Sequence, residues 1–409
     1  MPKFDFAATG AGIGALAATA LMCRNNGKTI LLEPGNEAGG ALTPVKKDGF
    51  VFYPGPALSY DLGTGGVFGR LCSALGLVPE AFKQAPCYQV ALPDHRITVH
   101  RDHAGTIEEL RREFPRELDA MAKFYREIRK SAERNAGSRL SAFFSRQQSA
   151  RGFIQKYRFS REFGIFLDVQ SRSFFQRPVK DLTLFQLIAM INTTPVIIGG
   201  GLQKLIDQLL SVIEKSGGTV RFNEPWPEPV LRKKRLVSIM TREGAVEAKT
   251  FCFNTETYSR AAELFIGLRE EVVPVRMCRD VICLPDYTQP ERFYTLSLGA
   301  PDDKASAPAG MRTLTASFRM APDTRSNKDV LLDQVAALIP FLKDHLALTA
   351  EYLPEQRRYR FPPELAFKQA KGQTFLSRAS SRNTWLIHDG FESPIEAVFA
   401  AQQLARKLT

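Results

Sequence analysis

The chain opens on short apolar runs separated by small residues. Phe4–Thr9 (FDFAAT) has the length and composition of a short buried strand. Ile13–Asn26, rich in Ala and Leu, reads as a helix, and Gly27 stands where a helix stop is expected. Thr29–Leu32 (TILL) reads as a second buried strand, ending at Glu33. Strand, helix and strand within about 30 residues make a βαβ unit, parallel and right-handed by rule. Residues 39–58 are loop and short strand, heavy in Gly and Pro. Residues 105–135 carry Leu110, Phe114, Leu118, Met121, Phe124, Tyr125 and Ile128 at three-to-four spacing, which predicts a helical region with Lys and Arg on the opposite face. Gly199-Gly200-Gly201 opens a further helix over Leu202–Lys215, Gly217-Gly218 ends it, and Thr219–Phe222 reads as a strand. Leu236–Thr241 and Thr250–Phe253 are predicted strands, and 299–310 is the clearest loop. Near the end, Thr384–Ile387 is a strand and Pro394–Leu408 a helix, with Ser393 as N-cap, Pro394 at N1 and Glu396 at N3.

Composition narrows the class without changing this picture. A chain of 409 residues is too long for one small core and fits two intertwined domains. Apolar content of 44% and charged content of 24% are ordinary for a globular protein and exclude a disordered one. No run of about 20 apolar residues is present, so no transmembrane helix is expected. The small, apolar run 10–23 is explained by strand–turn–helix better than by a signal-peptide core. Six scattered cysteines form no CxxC and read as thiols in a reducing compartment. His95, His100 and His103 cluster without a completing ligand pattern, so no metal is expected.

The net charge is +12, and the excess is uneven: Arg111 to Arg161 holds fourteen Lys and Arg against five Asp and Glu. Phe143, Phe144, Phe153, Tyr157, Phe159, Phe163 and Phe166 are interleaved there. An anionic membrane surface, nucleic acid, or solubility alone would each suit such a stretch. No nucleic-acid motif accompanies the charge, so no nucleic-acid partner is expected.

Residues 10–15 (GAGIGA) carry the strongest chemical signal. Gly10, Gly12 and Ala15 meet a GxGxxG/A pattern, with Gly14 inside it. Gly10 permits the tight turn out of the strand, Gly12 lets a pyrophosphate approach the backbone, and Ala15 is small enough for close helix–strand packing. The helix N-terminus offers N–H groups and partial positive charge to phosphates. Glu33 lies 21 residues after Gly12, where a carboxylate accepts ribose hydroxyls, and it favours FAD or NAD over NADP. Gly27-Lys28-Thr29 is not a P-loop: Met22 stands where Gly is needed, and a strand follows the Lys.

With these residues the chain resembles the phytoene desaturase and amine oxidase superfamily of flavoproteins. The resemblance continues through Glu33, Gly39-Gly40, and Gly49-Phe50-Val51-Phe52-Tyr53-Pro54-Gly55-Pro56, which is similar to a GF-x-F-x-x-GP segment. Leu75-Gly76-Leu77, the Gly199–Leu209 and Gly217-Gly218 pair, and the closing Trp385-Leu386-Ile387-His388-Asp389-Gly390 follow in the family's order. The resemblance implies an α/β fold: a Rossmann-type FAD-binding domain with an inserted α+β substrate domain. It implies a discontinuous FAD domain near 1–75, 190–270 and 365–409, with 76–189 and 271–364 forming the substrate domain. FAD would be held by Gly10, Gly12, Gly14, Ala15, Glu33, Gly39, Gly40, Ala41, Gly55, Pro56 and Asp389. Four departures stand out: Ala41 where the family has Arg, His388 where it has Gly, a closing segment cut to Gly390–Pro394, and a chain shorter than typical desaturases.

In this family the flavin performs the redox chemistry, and the expected activity is desaturation or isomerisation of an apolar, isoprenoid-like substrate by hydride transfer. Alternatives are an FAD-dependent amine oxidase, in which Tyr53 or Trp385 could help cage an amine, and a non-catalytic lipid- or protein-binding protein on the same fold. No catalytic residue is assigned. His388 is the candidate for tuning the flavin or moving a proton, with a hydrogen-bonded spacer as the plainer alternative. Arg172 is a weaker candidate in the substrate domain. The basic, aromatic stretch 111–175 is the candidate contact with an anionic membrane, for a protein expected in the cytoplasm or peripherally on a membrane.

Overall fold

The computed structural model describes residues 3–56, 58–59, 66–78, 82–192, 196–198, 201–225, 228–256, 261–301, 303–319, 328–352, 376–379, 381–389 and 394–409. Strands and helices are numbered along the chain. An eight-stranded sheet comprises β1 (Phe4–Thr9), β2 (Thr29–Leu32), β10 (Thr219–Arg221), β11 (Glu228–Arg232), β12 (Arg235–Thr241), β13 (Gly244–Glu256), β19 (Leu376–Arg378) and β20 (Thr384–Asp389). Its parallel part runs β10-β2-β1-β13-β20, the order of a doubly wound nucleotide fold. The long β13 serves two partners: Gly244–Glu247 continues the antiparallel β11–β12 hairpin, and Phe251–Glu256 pairs in parallel with β20.

The unbroken apolar runs of β1 and β2 follow from cover on both faces. On one face lie α1 (Ile13–Arg24), α2 (Val67–Leu75), α9 (Gln203–Lys215) and α11 (Pro394–Leu408). Every residue from Ile13 to Cys23 is buried, so α1 has no solvent face and needs none of the polar residues of an amphipathic helix. On the other face Phe4, Ala7 and Ile30 pack with Leu236, Ile239, Phe251 and Leu386.

A second, seven-stranded sheet runs in the order β18 (Leu346–Tyr352), β14 (Ala261–Arg269), β17 (Met311–Arg319), β16 (Tyr294–Leu298), β15 (Asp280–Cys283), β7 (Cys87–Ala91), β8 (Arg96–His100). Its neighbours are antiparallel except β15 and β7. Leu331, Leu332 and Val335 of α10 (Lys328–Ala336) pack against its Leu264, Ile266 and Leu268. A separate helical core is built by α3 (His103–Glu113), α4 (Leu118–Gly137), α5 (Arg139–Gln147), α6 (Ala150–Ile154), α7 (Arg161–Phe175) and α8 (Leu184–Asn192), with Met121, Phe124, Phe163 and Phe166 packed near Tyr88, Val90 and Ile97. Two small sheets complete the fold: the hairpin β3 (Val45–Lys47)–β4 (Phe50–Phe52), and β5 (Leu58–Ser59)–β9 (Val196–Ile198)–β6 (Phe82–Gln84).

Two local outcomes differ from the pattern. The helical region 105–135 is broken at Phe114, where a 3-10 turn over Pro115–Glu117 separates α3 from α4. Pro115 has no N–H and its ring crowds the preceding turn, so the helix stops before it. And β14, inside the segment 190–270, pairs in the seven-stranded sheet on both its edges. The chain therefore passes between the sheets between Glu256 and Ala261. Residues 353–375, and Ser393, lie outside the described residues.

Candidate dinucleotide site

The site forms where the parallel strands end. Gly10, just past β1, takes φ +82°, a left-handed conformation that glycine adopts without strain. The turn is tied down on both sides. Gly10 N–H donates to the Leu32 carbonyl at 2.8 Å, and Ala11 O accepts from Gly39 N–H at 2.8 Å. Gly12 is extended and caps α1 with no side chain, and the first turn of α1 holds no acid. The positive end of the helix dipole is therefore left uncompensated by any cap side chain or first-turn acid. The closest packing falls on Gly14 rather than on Ala15 alone. A Cβ on Gly14 would lie 2.5 Å from Ile387 Cγ2 and 3.2 Å from Ala397 Cβ, because β20 and α11 both press on that side of α1. Ala15 is fully buried beside it.

Glu33 bridges the ends of β1 and β2. Its carboxylate is buried and accepts from Ala11 N–H through Oε2 and from Gly35 N–H through Oε1, the latter at 2.7 Å. A Cβ on residue 35 would lie 2.9 Å from Oε1, so the glycine admits the carboxylate. A carboxylate offers about four lone-pair sites, and backbone donors fix the orientation of this one. Held this way, Glu33 is a preset acceptor beside the phosphate turn.

Gly39 (φ +119°) and Gly40 (φ +58°) start a 3-10 turn over Gly40–Leu42. Ala41 faces the second sheet, and its carbonyl accepts from Tyr352 Oη at 3.0 Å. Gly55 (φ +97°) donates N–H to Glu263 Oε1 at 3.2 Å, with Pro56 following it half-buried. Glu263 is fully buried and also accepts from Ser317 Oγ at 2.8 Å. No sequence pattern marked this acid. It sits mid-strand in an apolar run, 208 residues from the backbone it binds.

At the closing strand, Asp389 is the last residue of β20 and pairs in register with Glu256; its side chain and Gly390–Ser393 lie outside the described residues. His388 is buried, with Nδ1 2.8 Å from Thr255 Oγ1 and Nε2 3.0 Å from Ser377 Oγ. Burial lowers its pKa, favouring the neutral ring, in which one nitrogen donates and the other accepts. Both nitrogens are engaged in holding β13, β19 and β20 together, the geometry of a spacer.

The other candidates are not brought to this place. Arg172 pairs with Asp168 at 2.6 Å within α7, and Asp168 also accepts from Val179 N–H, so the pair fixes the end of that helix. Tyr53 packs over Gly201, where a Cβ would lie 2.7 Å from Tyr53 Cβ. Trp385 lies at the start of β20 between Arg378 (5.4 Å) and Lys407 (5.1 Å), a cation–π arrangement already filled by the chain. Phe153, Phe163 and Phe166 are core, whereas Phe143 and Phe144 on α5 are 54% exposed. Among the described residues no cluster of His, Cys, Asp or Glu could hold a metal, and no helix is long and apolar enough to cross a membrane.

The chain matches no protein-family model. It is 28% identical over 129 residues to a chloroplastic prolycopene isomerase of Daucus carota, a stretch covering 31% of this chain and 21% of that protein. It is 22% identical over 256 residues to a 4,4'-diapophytoene desaturase of Methylomonas sp, covering 58% of this chain and 50% of the relative. The matched stretches thus span between a fifth and half of those relatives' lengths. Among solved structures, an oxidoreductase from Methanosarcina mazei superposes with a TM-score of 0.68 at 14% identity, covering 98% of this chain and 100% of that one. A Rab GDI from Plasmodium falciparum superposes with a TM-score of 0.70 at 8% identity, covering 98% and 97%. At these identities the superpositions establish the shared fold.

Proposed function

We propose that the chain is an FAD-dependent member of the phytoene desaturase and amine oxidase superfamily, that it binds FAD at the end of its parallel sheet, and that it acts as an oxidoreductase on an apolar, isoprenoid-like substrate. The observation that carries the reading is the pairing of the side-chain-free cap at Gly12 with the buried, oriented carboxylate of Glu33. Phosphates suit the first and ribose hydroxyls suit the second. Gly39 and Gly40 bring backbone close to the same turn. Bound FAD would supply hydride acceptance; the chain's own residues bind it, orient it and exclude water. The substrate class rests on the relatives' names, a prolycopene isomerase and a diapophytoene desaturase. For a substrate dissolved in lipid, α5 supplies a docking edge: Leu140, Phe143 and Phe144 are more than half exposed on a helix that also carries Arg139 and Arg146.

The deciding experiment is the visible spectrum of the purified chain before and after FAD is added. Resolved flavin bands are expected, with bleaching by a polyene under anaerobic conditions. Bleaching by amines instead would move the activity to amine oxidation. A folded protein that stays colourless in saturating FAD would sink the enzyme reading and leave the fold to binding alone.

A further inference from the structure

Away from the dinucleotide site, two thiols meet across the seven-stranded sheet. Cys87 begins β7, and Cys278 lies just before β15, the strand that pairs in parallel with β7. Their sulfurs are 3.0 Å apart and both residues are half-buried. The approach is built in by Gln89, itself buried two residues along β7. Gln89 Oε1 accepts from Cys278 N–H at 3.1 Å, and Gln89 Nε2 donates to the Arg276 carbonyl at 3.0 Å. One side-chain amide thus grips the backbone on both sides of Met277 and fixes the approach to the residue that carries the second thiol.

The pair is chemically asymmetric. Cys278 hydrogen-bonds the Cys87 sulfur and brings the Cys87 thiol down to about 7, while the same contact and burial push Cys278 up. The neighbouring Asp280 works against both thiolates; its own carboxyl is raised by burial and accepts from Ser297 Oγ at 2.8 Å. Cys87 also lines a narrow cleft of about 20 Å³, with Tyr88, His100, Arg101, His103 and Gln170 around it. A thiol with these features is the attacking member of a pair, and its partial exposure opens it to a small reagent.

We propose that Cys87 and Cys278 form a reversible intramolecular disulfide, closed by exchange with a small-molecule disulfide at the half-exposed Cys87. The Cys87 thiolate attacks one sulfur of the reagent, forming a mixed disulfide and expelling one thiolate. Cys278, losing its proton, then attacks the Cys87 sulfur and expels the second. One reagent disulfide is reduced to two thiols, and two protein thiols are oxidised to one disulfide. The product ties the 273–279 loop to β7. This inference is independent of flavin binding.

The test is to treat the full chain as purified with oxidised glutathione and to follow it by intact mass and peptide mapping. The expected product has lost two hydrogens, about 2 Da, carries a Cys87–Cys278 cross-linked peptide, and reverts with dithiothreitol. Cys23, Cys72, Cys252 and Cys283, all buried, stay reduced. Cys278→Ser should instead accumulate the glutathione adduct on Cys87, and Cys87→Ser should give neither product; circular dichroism checks that both variants are folded. A glutathione adduct that persists on Cys87 in the wild-type chain, or a folded wild-type chain that does not react, overturns the proposal.

Discussion

Two regions of the molecule do their work with opposite economies of sequence. The turn at Gly10–Gly14 and its acid, Glu33, come from one βαβ unit: the bond from Ala11 to Glu33 spans 22 residues. The seam between the two sheets is assembled from segments more than 200 residues apart. There Phe52 stacks on Phe265 at 4.8 Å, Phe265 on Tyr352 at 5.5 Å, Tyr352 reaches the Ala41 carbonyl, and Gly55 reaches Glu263. Gly267 is the notch that lets this happen, since a Cβ there would lie 2.6 Å from the Phe50 ring. The first region is the proposed recognition site; the second holds the 39–56 loop against the second sheet, beside that site.

The largest effect should come from breaking the seam. Phe265 is fully buried between two rings, and Phe265→Ala removes both contacts and leaves a cavity worth about 3–5 kcal/mol. Urea unfolding should show that loss with and without FAD, and flavin affinity should fall as the 39–56 loop loosens. Unchanged affinity in a destabilised protein would show that the turn needs no help from the seam. The reciprocal change is Glu33→Ala, which removes the proposed acceptor for the ribose and strands the N–H groups of Ala11 and Gly35. Loss of hydrogen bonds to a charged group predicts weaker FAD binding by about 100-fold, roughly 3 kcal/mol. Fluorescence titration measures it, and Glu33→Gln should recover part of the affinity. Near-native affinity in Glu33→Ala would remove Glu33 from the site.

The same contrast explains what was legible in the sequence. The strand limits Phe4–Thr9 and Thr29–Leu32 and the final helix Pro394–Leu408 stand where the apolar pattern puts them, because local periodicity and glycine punctuation determine such elements. The positions of Gly10, Gly12 and Glu33 were legible for the same reason. Glu263 was not: an acid inside an apolar strand acquires meaning only when Gly55 and Ser317 arrive from elsewhere. Nor was the crowding at Gly14, which depends on Ile387 and Ala397 from the far end of the chain. Trp385 looked available for a ligand because Arg378 and Lys407, which occupy its faces, are brought to it by the fold. The break at Pro115 was readable and shows that spacing alone outvotes a proline only on paper.

His388 gives the smallest effect, and it tests where the two economies meet. The ring lies at the carboxyl end of β20, beside the expected flavin, yet it bonds Thr255 and Ser377 of the neighbouring strands. Burial depresses its pKa below the ordinary 6.5. The unfolded chain therefore takes up a proton near pH 6.5 while the folded chain does not until lower pH. The contribution is complete above 6.5 and is lost as pH falls from there through the folded pKa. His388→Asn, which keeps one donor and one acceptor, should flatten that part of the stability–pH curve measured by urea unfolding. If His388 only spaces the strands, the variant should leave the pH profile of substrate-dependent flavin bleaching unchanged. A profile that moves with the substitution would instead make His388 a proton-handling group, and the closing strand would then contribute chemistry as well as framework.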